Sequence, residues 1–274
     1  MNIPTKSFTL KDFSNLDNSC HSDFLIQSMQ AHYTSESMLK IKKNAIKLMN
    51  LQPREHVCEL GCGLGHDAAM MAELVGADGY IAAVDKSEKI LLEAHKLNNR
   101  SNIAFSSHDA VNLPFADNTF DACRAERLLV SQKNIPQVFD EMIRVLKPTG
   151  RLCITSLDFG SLILAPYITT VDKIIMYWQN MVENPFVGRQ LPALFNQFNL
   201  QQIKLESNVF HLSSYETLKT IVPFEIMLDD MVAQKHLTHQ ERQETVDAFI
   251  EADQNNTFYW SINLVTAVGK IKII

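Results

Sequence analysis

The feature that most restricts this chain is a run of three alternating glycines, Gly61, Gly63 and Gly65. It stands between the short apolar segment Val57-Cys58-Glu59-Leu60 and Asp67, which opens a second apolar stretch, Ala68 to Val75. A short apolar segment, a tight turn and then apolar residues at helical spacing read as strand, turn, helix. Asp67 falls in the first turn of that helix, where a negative charge suits the helix dipole. Glycine serves such a turn because it takes positive φ without strain and lets a ligand lie against bare backbone. The turn is therefore expected to be a binding loop.

Spacing separates the ligand classes that use such loops. A dinucleotide fingerprint has the order G-x-G-x-x-G, which would put a glycine at His66 or at Ala68. The order here is E-x-G-x-G-x-G, led by Glu59. Tyr80-Ile81-Ala82-Ala83-Val84-Asp85 then reads as a second strand ending in a carboxylate, and twenty residues from Gly65 to Asp85 hold a helix and a return strand. A carboxylate at that strand end can accept from both hydroxyls of a ribose. Asn102-Ile103-Ala104-Phe105-Ser106-Ser107 reads as a third strand, followed by His108-Asp109-Ala110.

Two further segments are more specific. Leu113-Pro114-Phe115-Ala116-Asp117-Asn118-Thr119-Phe120-Asp121 has the form LPF-x-D-x-x-FD, and Glu141-Met142-Ile143-Arg144-Val145-Leu146-Lys147-Pro148-Thr149-Gly150-Arg151-Leu152 has the form E-x-x-RVLKP-x-GRL. With the glycine turn, these segments resemble the class I S-adenosylmethionine-dependent methyltransferases, closely from Leu51 to about Leu157. More loosely, Asp158-Phe159-Gly160-Ser161-Leu162 and Gly188-Arg189-Gln190-Leu191-Pro192 resemble a small-molecule subgroup of methyltransferase type 11, near the ubiquinone and menaquinone enzymes. The resemblance implies that S-adenosyl-L-methionine is the cofactor and S-adenosyl-L-homocysteine the product. It implies cofactor contacts from Glu59, Gly61, Cys62, Gly63, Gly65, Asp85, Lys86, His108, Asp109, Ala110 and Arg124. Glu59 would reach the amino group, Asp85 the ribose, Asp109 the adenine amino group and the Ala110 amide a ring nitrogen, with His108 shaping the adenine pocket.

Alternating strands near 56–60, 80–84, 102–106, 119–124 and 150–157 with helices near 67–75, 88–98 and 135–146 give the βαβ rhythm of a parallel sheet. Right-handed crossovers bring the glycine turn, Asp85 and Asp109 to one sheet edge. The expected fold is α/β: a Rossmann-like seven-stranded, mostly parallel sheet with an antiparallel last strand, helices on both faces and helical cap insertions. The family's strand seven lies between five and six; segments near 202–211 and 258–268 fit the final pair. Residues 1–50 read as an N-terminal helical lid segment and 51–274 as the methyltransferase domain, with caps at about 160–200 and 213–252. Within the lid, residues 1–22 read as a polar arm or short loops. Helices are expected over 23–30 and, after Ser35, through Met49, with Met29 and Tyr33 able to line the cleft. Inside the first cap, a helix is expected over about 162–182.

Methyl transfer from a sulfonium is a one-step displacement, so positioning alone carries much of the barrier reduction and a base is needed only for an acidic substrate proton. Arg124 and Glu126, just after the fourth strand, are the candidate catalytic groups; the alternative for both is a structural ion pair. His211 and Arg189 are further candidates from the cap region. A nicotinamide-dependent oxidoreductase shares Asp85 but not the glycine spacing, and a non-catalytic S-adenosylmethionine-binding protein would retain every motif. A nucleic-acid amino-methyltransferase would show Asn/Asp-Pro-Pro-aromatic after strand four, where this chain has Cys123-Arg124-Ala125-Glu126.

Over 274 residues the formal charge is −6, which argues against a nucleic-acid backbone as a main partner; the resemblance implies a small-molecule substrate, and a homodimer is possible. The one basic cluster, Lys40, Lys42, Lys43 and Lys47, has helical spacing and reads as a solvated helix face. No stretch has the length and apolarity of a membrane span, and residues 1–10 lack the apolar core of a signal peptide, so a cytoplasmic location is expected. Cys58, Cys62, Cys123 and Cys153 fall in or beside core strands while Cys20 is N-terminal; no spacing suggests a metal site, and reduced thiols are expected.

Overall fold

The computed structural model describes residues 15–272; most of the expected N-terminal arm, residues 1–14, lies outside them. A single 3₁₀ turn at 15–18 leads into two helices, α1 (Ser22–Thr34) and α2 (Glu36–Met49). The βα repeats follow: β1 (His56–Leu60), α3 (His66–Val75), β2 (Tyr80–Asp85), α4 (Glu88–Leu97), β3 (Ile103–Ser107), β4 (Phe120–Glu126), α5 (Ile135–Val145) and β5 (Leu146–Ala165). The remainder is α6 (Val171–Asn180), α7 (Val187–Gln197), β6 (Gln201–Leu212), α8 (Tyr215–Ile221), α9 (Phe224–Ala233), α10 (His239–Gln254) and β7 (Tyr259–Lys270). All strands join one sheet of order β3-β2-β1-β4-β5-β7-β6. The first five are parallel, and β7 runs antiparallel to both β5 and β6. This is the expected seven-stranded Rossmann-like architecture with its last strand inserted between five and six.

Local chemistry explains most boundaries. Asn134 accepts from the Gln137 amide at the start of α5, Pro136 occupies its first turn, and Val138, Phe139, Met142 and Val145 are the buried stripe. Arg144 of α5 donates to the Leu113 and Phe115 carbonyls and to Asp117 and Glu141, while Glu141 accepts from the Leu113 amide. Asp121 accepts from the His56 amide and from Lys147. The most specific sequence segments are thus a polar knot that fixes the approach to β4.

The expected helix from about 162 does not begin there. Residues 163–165 extend β5, pairing with Ser261, Trp260 and Tyr259 of β7 after a register shift, and the helix starts at Val171. The expectation of a solvated lysine face also needs correction at one position. Lys42 is 7% exposed. It lies four residues from Met38 and three from Ala45, within the buried stripe of α2, and its ammonium reaches two carboxylates.

Candidate functional site

The strand order reverses between β1 and β4, and a crevice opens beyond the C-terminal ends of such strands. Here it is a cleft of about 280 Å³ walled by residues from β1, β2, β4 and β5, with α1 and the α8–α9 junction also contributing. The glycine turn forms its floor. The Cys62 amide donates to the Val84 carbonyl and the Gly65 amide to the Cys62 carbonyl. Asp85 accepts from the amides of Gly63 (3.1 Å) and Ser87 (3.0 Å), so the second strand end also holds the turn in place. Burial raises the pKa of Asp85, against the opposing pull of these amides.

The glycines do different things. A Cβ on Gly63 (φ +52) would meet only Met29 Sδ, at 3.8 Å, so the space above it is open to a ligand. A Cβ on Gly65 (φ +74) would come within 2.6 Å of the Phe105 ring, which makes Gly65 a packing position.

Beside the turn lies a buried charge cluster. Glu59 and Arg124 are cross-strand neighbours on β1 and β4. Arg124, with no exposed surface, donates to Asp67 (2.5 Å) and to Glu126 (2.6 Å). Lys42 donates to Glu126 at 2.6 Å and stands 3.0 Å from the other oxygen of Asp67; Arg127 is 3.3 Å from Glu126. Burial alone would raise the Glu126 carboxyl, but Lys42, Arg124 and Arg127 outweigh it and hold it well below the usual carboxylate range. Glu126 lines the cleft as an anion already shared among three cations, and Arg124 does not line it. Both are members of an ion network, and a carboxylate so stabilised is a weak base.

Nε and Nη1 of Arg124 are buried without a hydrogen-bond partner among the described residues, and so is Oε2 of Glu59, the residue of the two that lines the cleft. Burial and the charge of Asp67 push the pKa of Glu59 up to about 8, against the pull of Arg124 and Lys42.

The remaining sequence candidates divide by position. Gly61, Cys62, Gly63 and Asp85 line the cleft, as do Met29 and Tyr33. Gly65, Lys86, His108, Asp109 and Ala110 do not. His108 is tied to β2 through its amide and the Asp85 carbonyl, and Asp109 accepts from the Val111 amide while remaining exposed. Arg189 pairs with Asp158 at 2.7 Å and packs over Phe186, which joins the two loosely matching segments outside the cleft. His211 stacks on Tyr259, also outside it.

The lining residues that escaped the sequence reading include His32, Lys42, Arg127 and Trp260. For Lys42 a signal existed, a lysine inside an apolar helical stripe. Arg127 follows a named candidate and holds φ +55, a left-handed backbone that a non-glycine residue rarely adopts and that is often found at binding sites. His32 follows Met29 by three residues on the same helix face. Nothing local marks Trp260. Among the described residues no group of acidic, histidine or cysteine side chains could hold a metal ion.

A family model described as a methyltransferase domain matches residues 51–203. Demethylmenaquinone methyltransferase of Listeria welshimeri is 37% identical over 117 residues, covering 42% of this chain and 50% of that protein. An uncharacterized 37.1 kDa protein in transposon TN4556 of Streptomyces fradiae is 27% identical over 164 residues, 59% of this chain and 48% of that protein. The chain thus spans about half the length of the curated relatives it matches. Among solved structures, phosphoethanolamine N-methyltransferase 2 of Haemonchus contortus in complex with S-adenosyl-L-methionine superimposes with a TM-score of 0.60 at 16% identity, over 99% of this chain and 62% of that one. At that identity the likeness speaks for the fold. Because the family model covers more than half of the chain, including β1 to β5 and the turn that floors the cleft, the chain belongs to the class I S-adenosylmethionine-dependent methyltransferases.

Proposed function

We propose that the cleft binds S-adenosyl-L-methionine and directs its methyl group to a small molecule held under α1. The observation that carries this reading is the buried, unpartnered Oε2 of Glu59, sharing the cleft with the open space above Gly63. A buried carboxyl group with one oxygen unsatisfied is costly, and an ammonium group would satisfy it and favour its ionised form. Glu59 would hold the amino group of the cofactor, Asp85 the ribose hydroxyls through lone pairs not used by Gly63 and Ser87, and the bare backbone at Gly63 the methionine chain. Bound there, the cofactor supplies an electrophilic methyl on a sulfonium.

The residues of this chain contribute position and exclusion. Orienting two reactants lowers a barrier by roughly 7–11 kcal/mol in favourable cases, so the ion network need not supply a base. Its contribution is to fix the end of β4 and the start of α3 on either side of the glycine turn. The described part of the N-terminal segment acts as the lid: Ser28 Oγ donates to the Ile221 carbonyl at 2.6 Å, and Tyr33 stacks on His66 at 3.6 Å. The listerial relative is named for demethylmenaquinone, which supports a small organic acceptor for this chain as well.

Calorimetric titration with S-adenosyl-L-homocysteine tests the reading. Saturable binding by the wild-type protein, weakened by roughly 1.5–3 kcal/mol in Glu59→Gln, is expected from loss of a charge-assisted hydrogen bond. Absence of both heat and a melting shift at saturating ligand would refute it. NADH added in its place should produce no fluorescence change.

A further inference from the structure

The far end of the cleft differs in character from the glycine turn. Its walls include Leu157, Phe159, Leu162, Trp178, Phe210 and Trp260. Trp260 meets Phe210 and Trp178 edge to face, at ring distances of 5.6 and 6.3 Å. Two neutral polar side chains of the cleft, Trp260 and His32, each carry a hydrogen-bonding group free to meet a ligand.

Trp260 is 5% exposed, and its indole N–H has no hydrogen-bond partner among the described residues. A phenylalanine would fill much of the same space without burying an unsatisfied donor, so the indole is costly unless a ligand accepts from it. His32 also meets Phe210, with ring centroids 5.8 Å apart. Its Nδ1 is 2.9 Å from the Ser28 carbonyl, which can only accept, so Nδ1 carries the proton and Nε2 presents a lone pair. Burial, and then the charge of Arg127, lower the pKa of this ring to about 3, which keeps that lone pair free at neutral pH.

Building on the proposed cofactor site, we infer that the methyl acceptor is a mostly apolar, ring-bearing molecule that presents one oxygen to the indole N–H of Trp260 and a hydroxyl to Nε2 of His32. The aromatic walls hold its hydrocarbon body, and the two polar groups set its orientation. A cationic acceptor is disfavoured although aromatic rings can cage one. The carboxylates of the cleft are already engaged: Glu126 with Lys42, Arg124 and Arg127, Asp67 with Lys42 and Arg124, and Asp85 with two amides. Glu59 is assigned to the cofactor, and Arg127 adds positive charge on the His32 side. His32 and Trp260 are accordingly specificity-determining contacts.

The test uses the full chain saturated with S-adenosyl-L-homocysteine and three bicyclic probes. 6-Hydroxy-1-tetralone carries both oxygens, 1-tetralone lacks the hydroxyl, and 5,6,7,8-tetrahydro-2-naphthol lacks the carbonyl. The Trp260 indole N–H resonance, identified by its loss in Trp260→Phe, should shift with both ketones and not with the tetrahydronaphthol. Trp260→Phe should weaken the ketones roughly tenfold and leave the tetrahydronaphthol unchanged, whereas His32→Leu should weaken the two hydroxylated probes similarly and spare 1-tetralone. An indole resonance unmoved by bound ketone, equal losses for all three probes, or binding of choline in preference to them would overturn the inference. If S-adenosyl-L-homocysteine binds and no bicyclic probe does, the substrate class falls and the cofactor site stands. If S-adenosyl-L-homocysteine itself fails to bind, both fall.

Discussion

Glu59 shows how one side chain links the fold to the proposed cofactor site. Its pKa rises from 4.5 in the unfolded reference to about 8 in the folded protein. Between those values the folded state binds more protons than the unfolded one, so stability falls as pH rises. The contribution of this proton is complete below about 4.5 and lost as pH passes through about 8. Glu59→Gln cannot titrate, so in urea unfolding the variant should gain stability relative to wild type as pH is raised through that window; parallel profiles would contradict the assignment. The same shift predicts that S-adenosyl-L-homocysteine displaces up to about one proton per site at neutral pH, because an ammonium partner favours the ionised carboxylate. Titrations in buffers of different ionisation heat should show that release in the wild type and not in Glu59→Gln. The glycines give a second contrast. Gly63→Ala places a left-handed alanine in open space and should cost about 1–2 kcal/mol while abolishing ligand binding. Gly65→Ala adds overpacking against Phe105, a further ~1–3 kcal/mol, so its loss of stability should be the larger of the two in denaturant titrations.

Among elements, α2 depends on a lysine that the helical spacing of its basic cluster assigns to water. Lys42 joins α2 to α3 through Asp67 and to β4 through Glu126. Lys42→Met leaves two buried carboxylates short of a partner and should cost about 3–5 kcal/mol, with hydrogen exchange accelerating first in α2. Slow exchange throughout α2 in a stably folded variant would show that the stripe of Met38, Ile41, Ala45 and Met49 suffices. How far elements could be read from sequence followed how local their causes are. The first five strands and their helices are legible because each apolar run, cap and turn lies within one βαβ unit, and the floor of the cleft is built from those same short segments. The end of β5 is not, because 163–165 becomes strand only through β7, almost a hundred residues later in the chain. The same holds for the substrate end: His32, Phe210 and Trp260 come from α1, β6 and β7, and no spacing rule links them. The motif of Glu141, Arg144 and Asp117 was conspicuous for another reason, since a network with every member satisfied restricts each residue type.

For the molecule as a whole, all seven strands share one sheet and a buried core runs from Leu16 to Val268, so a single cooperative transition is expected. S-adenosyl-L-homocysteine at about 100 times its Kd should add about 2.7 kcal/mol to that transition and raise Tm by several degrees. A shift of only part of the melting profile would indicate that the cleft opens independently of the sheet. The position of β7 also imposes an order in time. During synthesis β5 emerges first, beside β4, and β6 some fifty residues later, yet the outer edge of β5 and the whole of β6 have no strand neighbour until Tyr259–Lys270 is made. The glycine-turn floor can take shape on the ribosome, whereas the Trp260 wall arrives only with β7. A nascent chain arrested before that strand would therefore expose the open edge of β5, an unpaired β6 and half a cleft, leaving it a substrate for chaperones before it is a receptor for any ligand.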